Sequence, residues 1–172
     1  MRYLSTRGTA APLPFDDVLL EGLARDGGLY VPEAWPCLSP DAIADLAGKP
    51  YRDVALAVMT PFVTPGLADA LPAIVDDAYA TFRHPDVAPL KPLGDLHLME
   101  LFHGPTLAFK DVAMQVLGRL FDHVLEARDE RVTVIGATSG DTGSAAIEAV
   151  RGRARATIFI LHPHGRTSEV QR

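Results

Sequence analysis

A lysine placed after a short apolar run is the residue of this chain best suited to covalent chemistry. Residues 101–111 read LFHGPTLAFKD, and Lys110 follows Leu107, Ala108 and Phe109. We expect its amine to lie against apolar surface, where desolvation disfavours the ammonium form and lowers the pKa of the amine. A partly neutral lysine can form a Schiff base with an aldehyde cofactor. The alternative is a lysine that only extends its stem along the surface at a helix end.

The other lysines of the chain offer no such setting. Lys49 lies in a Gly-Lys-Pro turn and Lys91 in a Leu-Lys-Pro connection. Both are predicted to be exposed, because turns and connections run over the surface of a protein. Lys110 is therefore the candidate nucleophile.

A second candidate loop, TSGDTGS at residues 138–144, combines hydroxyl groups with glycines. Gly140 and Gly143 permit close backbone approach, and backbone amides at a helix start attract an anion such as a carboxylate or a phosphate. The GxxxxGK[ST] pattern of a P-loop is absent. The alternative is that Asp141 and Ser144 only cap the following helix. Beside a Schiff-base lysine, such an anion site would hold an amino-acid substrate over pyridoxal phosphate.

The segment from residue 89 onward has the pattern of an α/β domain. We predict strands at residues 96–101, 131–137 and 156–161, and helices at residues 111–128 and 144–150. Strands that alternate with helices in this order form βαβ units and a parallel sheet. Ligands bind an open parallel sheet beyond the carboxyl ends of its strands, and both candidate loops fall there.

The preceding residues look mostly helical, with short extended pieces. Ser39-Pro40 predicts a helix start, with Ser39 as N-cap and Pro40 as first helical residue. Pro61 should break or kink a later helix. The remaining expectations are helix starts near residues 15, 51 and 64, an end of the first helix at residues 26–28, an edge strand at residues 3–6 and an extended piece at residues 29–31.

The composition excludes several classes of protein. The 172 residues are 48% apolar and 22% charged, which is slightly rich in apolar residues for a globular protein. Such an excess would arise if this chain were a piece of a larger protein, with a face that is normally buried against the rest of it. A net charge of −6 without a basic patch argues against a nucleic-acid partner. The single cysteine, Cys37, excludes an internal disulfide. No secretory signal and no apolar segment of about 20 residues is present, so we expect a cytoplasmic protein with no membrane contact.

The two motifs carry a family resemblance. The segments MELFHGPTLAFKDVA and GATSGDTGSAAIEAV closely resemble the threonine synthase family of fold-type II pyridoxal-phosphate enzymes. The upstream pieces TRG and FDDVLLEGLARDGGLYVPE are similar to the N-terminal domain of that family, and the tail HPHGRTSEVQR also looks like it. In many members of the wider fold-type II group an asparagine follows the Ser-Gly of the second loop. This chain has Asp141 there, which is typical of threonine synthase.

The resemblance implies a fold and a reaction. The fold class is α/β, with a mostly helical N-terminal domain at residues 1–88. Residues 89–172 would be the first βαβαβ units of a truncated parallel-sheet domain that binds pyridoxal phosphate. The enzyme would be a lyase of threonine biosynthesis that converts O-phospho-L-homoserine and water to L-threonine and phosphate, by γ-elimination and addition of water at Cβ. The alternatives are a related lyase acting on another phosphorylated amino acid, or a fragment that serves only as a structural or binding module.

The resemblance also implies residue roles. Lys110 would bind the cofactor as a Schiff base and then move protons at Cα and Cβ of the substrate. Four residues would hold the substrate carboxylate and lie close to the 3′-hydroxyl of the cofactor: Ser139, Gly140, Asp141 and Thr142. Thr138 is expected to join them in binding the substrate.

Three further residues are candidates for the pocket. His103 and Thr106 flank the lysine, although His103 could equally be a hydrogen-bonded structural group. Arg166 could bind the substrate phosphate through its planar guanidinium, or it could be a surface arginine. His162 and His164 lack a third ligand, so no metal site is predicted.

Two parts that fold-type II enzymes need have no counterpart in this sequence. These parts are a glycine-rich loop for the cofactor phosphate and a polar partner for the pyridine nitrogen. The chain stops at Arg172, where the sequence predicts the start of a new helix, so we expect a proteolytic or truncated piece that is inactive alone. The sequence does not indicate an oligomeric state.

Overall fold

A computed structural model describes residues 1–138 and 140–169, and helices and strands lie in both ranges. Two units make up the chain, Met1–Val75 and Asp76–Arg172. Within the described residues, no helix combines the length and the apolar character needed to cross a bilayer.

The first unit begins with a small antiparallel sheet of three strands: β1 (Arg2–Ser5), β2 (Leu13–Pro14) and β3 (Tyr30–Pro32). The predicted first strand is present, but it lies at the centre of the sheet, between β2 and β3. Pro14 lies in the edge strand β2, where its missing N–H breaks no interior ladder. The sequence placed β1 at an edge because we took the prolines to end all regular structure.

A loop carboxylate ties this sheet together. Asp26 accepts hydrogen bonds from the Ser5 hydroxyl (2.6 Å), the Thr9 hydroxyl and N–H (both 3.0 Å), the Ala10 N–H (2.9 Å) and the Gly28 N–H (3.0 Å). These donors favour the ionised form, and they hold the pKa of Asp26 well below its usual range, the Ser5 hydroxyl most of all.

Caps and prolines set the helix ends of the first unit. Its helices are α1 (Phe15–Glu21), α2 (Pro40–Ala44), α3 (Tyr51–Met59), a 3-10 turn (Thr60–Phe62) and α4 (Pro65–Tyr79), which continues into the second unit. The Ser39 hydroxyl accepts the Ala42 N–H at 3.1 Å, which confirms the predicted start of α2. Pro61 falls in the 3-10 turn that ends α3, as expected. Helix α1 ends at Gly22, whose φ of 71° stops it earlier than predicted.

The second unit contains β4 (Leu90–Leu93), β5 (Leu96–Met99), α5 (Asp111–Arg128), β6 (Val132–Ala137), α6 (Asp141–Val150) and β7 (Ala156–Leu161). Strands β6 and β7 are parallel neighbours joined by α6, which confirms the α/β class. Strand β5 pairs with β4 in an antiparallel hairpin, and not with a parallel neighbour as we expected. The cause is the two-residue turn Gly94-Asp95, which reverses the chain.

Helices α5 and α6 run in parallel. Gly118 of α5 packs against the backbone carbonyl of Ala149 in α6. One turn later, Asp122 of α5 pairs with Arg153 at 3.4 Å, four residues beyond Ala149. Arg153 lies three residues after the last residue of α6. A later residue of α5 thus contacts a later residue of the chain around α6, and from this order we infer that the two helices begin at the same end of the second unit.

Candidate active site

Lys110 immediately precedes α5 and is half-exposed. Its amine lies 4.1 Å from the centroid of the Phe109 ring, so the apolar neighbour that the sequence predicts is present. The face of an aromatic ring attracts a cation at this distance. Lys49 and Lys91 are exposed, as predicted.

The turn before Lys110 is fastened to a buried acid. The carboxylate of Asp111, which is 0% exposed, accepts the N–H of Thr106 at 2.8 Å and its hydroxyl at 2.7 Å. Gly104 packs directly against the same side chain. Sequence reasoning missed Asp111 as part of the site. The available signal was an acid at the first position of a helix, directly after the candidate lysine.

The second loop begins where β6 ends. The N–H of Thr138 donates to the carbonyl of Leu161 at the end of β7 (3.0 Å), and its hydroxyl accepts the Gly140 N–H at 3.2 Å. A Cβ added at Gly143 would stand 2.5 Å from the Thr138 methyl group, so only glycine permits this approach. Ser139 lies outside the described residues.

Gly140 occupies the N-cap of α6 and has no side chain with which to cap the helix. Asp141 and Thr142 are the first two residues of α6, and both are exposed. Asp141 and Ser144 each interact with other groups, so capping of the helix by either side chain stays an alternative. The exposed start of α6 carries a glycine and hydroxyl side chains, which is compatible with an anion site.

A cavity of about 330 Å³ adjoins this loop, between α6 and β7. The buried Thr167 hydroxyl has no hydrogen-bond partner within the described residues. The residues that line the cavity are Thr138, Gly140, Gly143, Ser144, Ile147, Ile158, Ile160, His162 and Thr167. Hydroxyl groups and one imidazole thus surround a small space beside the loop, with apolar side chains opposite.

The two candidate loops share one end of the second unit. Helix α5 starts seven residues before Gly118, and α6 starts eight residues before Ala149, which Gly118 contacts. At 1.5 Å per residue, the two starts lie about 10 and 12 Å from that contact along parallel axes. Lys110 and residues 140–142 therefore lie at the same end of neighbouring helices.

The other candidate residues have differing surroundings. The Nε2 atom of His103 lies 2.9 Å from a Glu100 carboxylate oxygen, and its ring packs against His84. This contact with Glu100 is compatible with both alternatives for His103, a pocket residue or a hydrogen-bonded structural group. Thr106 is engaged by Asp111, and Arg166 is exposed after β7.

Residues 1–138 and 140–169 contain no group of three or more His, Cys, Asp or Glu side chains that could hold a metal ion. His162 and His164 are both exposed.

Comparisons with known proteins give one consistent result. A family model described as the threonine synthase N terminus matches residues 2–79. A threonine synthase of Pseudomonas aeruginosa is 59% identical over 174 aligned residues, and one of Schizosaccharomyces pombe is 47% identical over 180. A crystal structure of threonine synthase from Brucella melitensis, with pyridoxal phosphate bound, superposes with a TM-score of 0.95 at 56% identity.

These matches cover the chain but only part of each relative. The chain is covered to 100% by the Pseudomonas protein, 98% by the Schizosaccharomyces protein and 99% by the Brucella structure. The same alignments cover 37%, 35% and 37% of those proteins, respectively. The chain therefore spans a little over a third of the length of the relatives it matches.

Proposed function

We propose that this chain, which by sequence and by fold corresponds to the N-terminal portion of the threonine synthase family, supplies Lys110 and the 138–144 loop to a pyridoxal-phosphate-dependent active site. The protein that contains it converts O-phospho-L-homoserine and water to L-threonine and phosphate. The observation that carries the proposal is the shared end of α5 and α6, where the lysine and the loop both lie.

The donor groups at this end fit pyridoxal phosphate and an amino-acid substrate. The Lys110 amine is half-exposed and can reach an aldehyde. The α6 start has glycine at its N-cap, so an anion can approach the backbone amides there without meeting a side chain at residue 140. When bound, the cofactor supplies an electron sink for negative charge at the substrate Cα.

Each residue then has a definite task. Lys110 would hold the cofactor covalently, and its amine would move protons at Cα and Cβ of the substrate. The loop at the start of α6 would bind the substrate carboxylate and lie close to the 3′-hydroxyl of the cofactor. Because a second carboxylate would repel the substrate, Asp141 contributes through its backbone N–H. The residues assigned to this loop are Thr138, Ser139, Gly140, Asp141 and Thr142.

Arg166 and His103 are the further candidates for contact with the substrate. Arg166 is exposed after β7, where its planar guanidinium can pair with the substrate phosphate. His103, oriented by Glu100, flanks the pocket together with Thr106. We assign residues 1–88 to the N-terminal domain and residues 89–172 to the start of the cofactor-binding domain, in a protein predicted to be cytoplasmic.

Simultaneous assay of both products tests the proposal. The protein, as its source expresses it, is incubated with O-phospho-L-homoserine, and we expect phosphate and threonine to form in equal amounts. Lys110→Ala should abolish both products, whereas Lys91→Ala, which removes an exposed lysine, should retain them. Phosphate without threonine would overturn the assigned reaction, and threonine formation by the Lys110→Ala variant would overturn the role of Lys110.

A further inference from the structure

The carboxylate of Asp111 is the most completely enclosed acid near Lys110. It is 0% exposed, and both of its oxygens accept hydrogen bonds from one residue. The Thr106 N–H donates to one oxygen and the Thr106 hydroxyl to the other. A buried carboxylate is costly unless its acceptors are satisfied, so this pair of bonds fixes Thr106 relative to the start of α5.

The turn packs directly against this acid. Gly104 lies so close to the Asp111 side chain that any Cβ at residue 104 would collide with it. The Leu107 N–H closes the turn by donating to the Gly104 carbonyl at 3.2 Å. The turn is thus held at Gly104 by contact and at Thr106 by two hydrogen bonds.

The backbone of the turn that contacts Asp111 is strained. Leu107 has a φ of 65°, in the left-handed region that a branched L side chain disfavours. Such a conformation is unfavourable and persists only where the surroundings impose it. Three residues later the chain reaches Lys110, so the strained turn determines where the lysine leaves the backbone.

We infer that Asp111 is a positioning residue for Lys110, because its buried carboxylate clamps Thr106 and imposes the turn from which the lysine projects. The inference rests on the proposed function of Lys110 and deepens it. Asp111 touches neither cofactor nor substrate in this role. It acts by holding the turn, so that the amine meets the aldehyde in one geometry.

Substitution of Asp111 by leucine and by asparagine distinguishes the effect of its two hydrogen bonds with Thr106, here called the clamp, from the effect of packing. Asp111→Leu keeps the branch at Cγ and the number of side-chain heavy atoms but removes both acceptors, and leaves the Thr106 N–H unpaired. Asp111→Asn keeps one acceptor for that N–H, and its amide can donate to the Thr106 hydroxyl, which is able to accept as well as donate. Asp69→Leu, at an exposed acid on α4, controls for the exchange of residue type.

The measurements use the protein as its source expresses it, titrated with pyridoxal phosphate. Borohydride reduction and peptide mass then give the fraction of Lys110 that carries the cofactor at each concentration. Amide hydrogen exchange of the peptide that contains Thr106 reports the clamp itself, and it does not depend on cofactor or activity.

We expect Asp111→Leu to raise the half-saturating cofactor concentration by about tenfold or more, since small misplacements of a reacting group are costly. The same variant should accelerate exchange at Thr106. Asp111→Asn should recover most of both effects, and Asp69→Leu should show neither. If Asp111→Leu does not fold, Thr106→Val, which removes only the hydroxyl donor, should raise the concentration severalfold, with recovery in Thr106→Ser.

Two results distinguish the possible failures. If Thr106 exchanges faster in the Leu variant but Lys110 is loaded at wild-type concentrations, the clamp does not position the lysine and the inference is overturned. If no cofactor is found on Lys110 even in the unmodified protein, the proposed function fails. In that case slow exchange at Thr106 would still demonstrate the clamp, but the inference that it positions Lys110 for the cofactor would be overturned together with the proposed function.

Discussion

Two aspartates organise turns in this chain by accepting several hydrogen bonds at once. Asp26 gathers hydroxyl and backbone donors from residues 5–10 and from Gly28. Asp111 gathers two donors from Thr106. In each case a short acidic side chain replaces the backbone pairing that a loop lacks. At the residue scale, the loops of this protein depend on these acids.

The lowered pKa of Asp26 predicts a pH-dependent stability. Because the folded pKa lies below the unfolded value of about 3.9, the unfolded chain binds the proton first as the pH falls. The stabilisation is therefore full above that value and is lost as the pH falls through it towards the folded pKa. Urea unfolding at neutral pH and at about pH 3 should show that the unmodified protein loses stability in acid.

Asp26→Asn should be less stable than the unmodified protein at neutral pH, and this difference should shrink in acid. Asp69→Asn, at an exposed acid, is the matched control and should follow the unmodified protein. An Asp26→Asn difference that stays constant across the pH range would show that the ionised carboxylate does not supply the stabilisation.

At the residue scale, the sequence predicted the surroundings of Lys110 but not the role of Asp111. The apolar run before Lys110 correctly predicted an apolar neighbour for the amine, because adjacent residues on a turn determine that contact. The role of Asp111 was not predictable. It depends on a left-handed φ at Leu107 and on contact with Gly104, and neither follows from local propensity.

At the scale of elements, a single glycine permits the close packing of α5 and α6. Gly118 lies against the Ala149 carbonyl, so that a side chain at residue 118 would separate the helices. The same packing sets the shared end at which Lys110 and the second loop lie. The helix pair therefore links the packing of the second unit to its candidate chemistry.

Gly118→Ala should lower the free energy of unfolding by about 1–3 kcal/mol, the usual cost of overpacking. Helix propensity alone predicts the opposite sign, because alanine is favoured over glycine in helices. Gly66→Ala is the matched control. No atom lies within 4 Å of a Cβ placed there, so propensity should stabilise α4 by about 0.5 kcal/mol. Urea denaturation of both variants checks this, and stabilisation by Gly118→Ala would contradict the close contact.

Element boundaries followed local signals wherever those signals were strong. The bounds of α5 and β7 agree with their periodicity, and Ser39 caps α2 as predicted. The pairing of β5 was wrong because Pro92 made its partner look like a connection. The pair Gly94-Asp95 was the signal for a hairpin, since it leaves a two-residue turn between the strands.

At the scale of the whole molecule, one face of the β6–β7 pair presents large apolar side chains to solvent. Ile135 is 73% exposed, Phe159 60% and Leu161 66%, and Ile135 lies opposite Phe159 in the parallel register. Parallel sheets are usually covered on both faces. The apolar excess in the composition predicted a face of this kind, but composition could not indicate which strands would carry it.

The exposed face should make the 172-residue chain, prepared by itself, associate with copies of itself as its concentration rises. Phe159→Lys should reduce this association, because a charge opposes burial of the face. Trp35→Lys is the control, since Trp35 is 69% exposed in a loop outside the sheet. Light scattering over a range of concentrations measures the effect. Equal reduction by both variants would show that the sheet face is not responsible.

The assignment of cofactor chemistry to Lys110 is tested most directly by chemical trapping. The protein, as its source expresses it, is reduced with borohydride, digested and mapped by peptide mass. We expect pyridoxal phosphate to be fixed to the peptide that contains Lys110, and Lys49 and Lys91 to be unmodified. An unmodified Lys110, or an adduct found only on one of the exposed lysines, would contradict the proposed function.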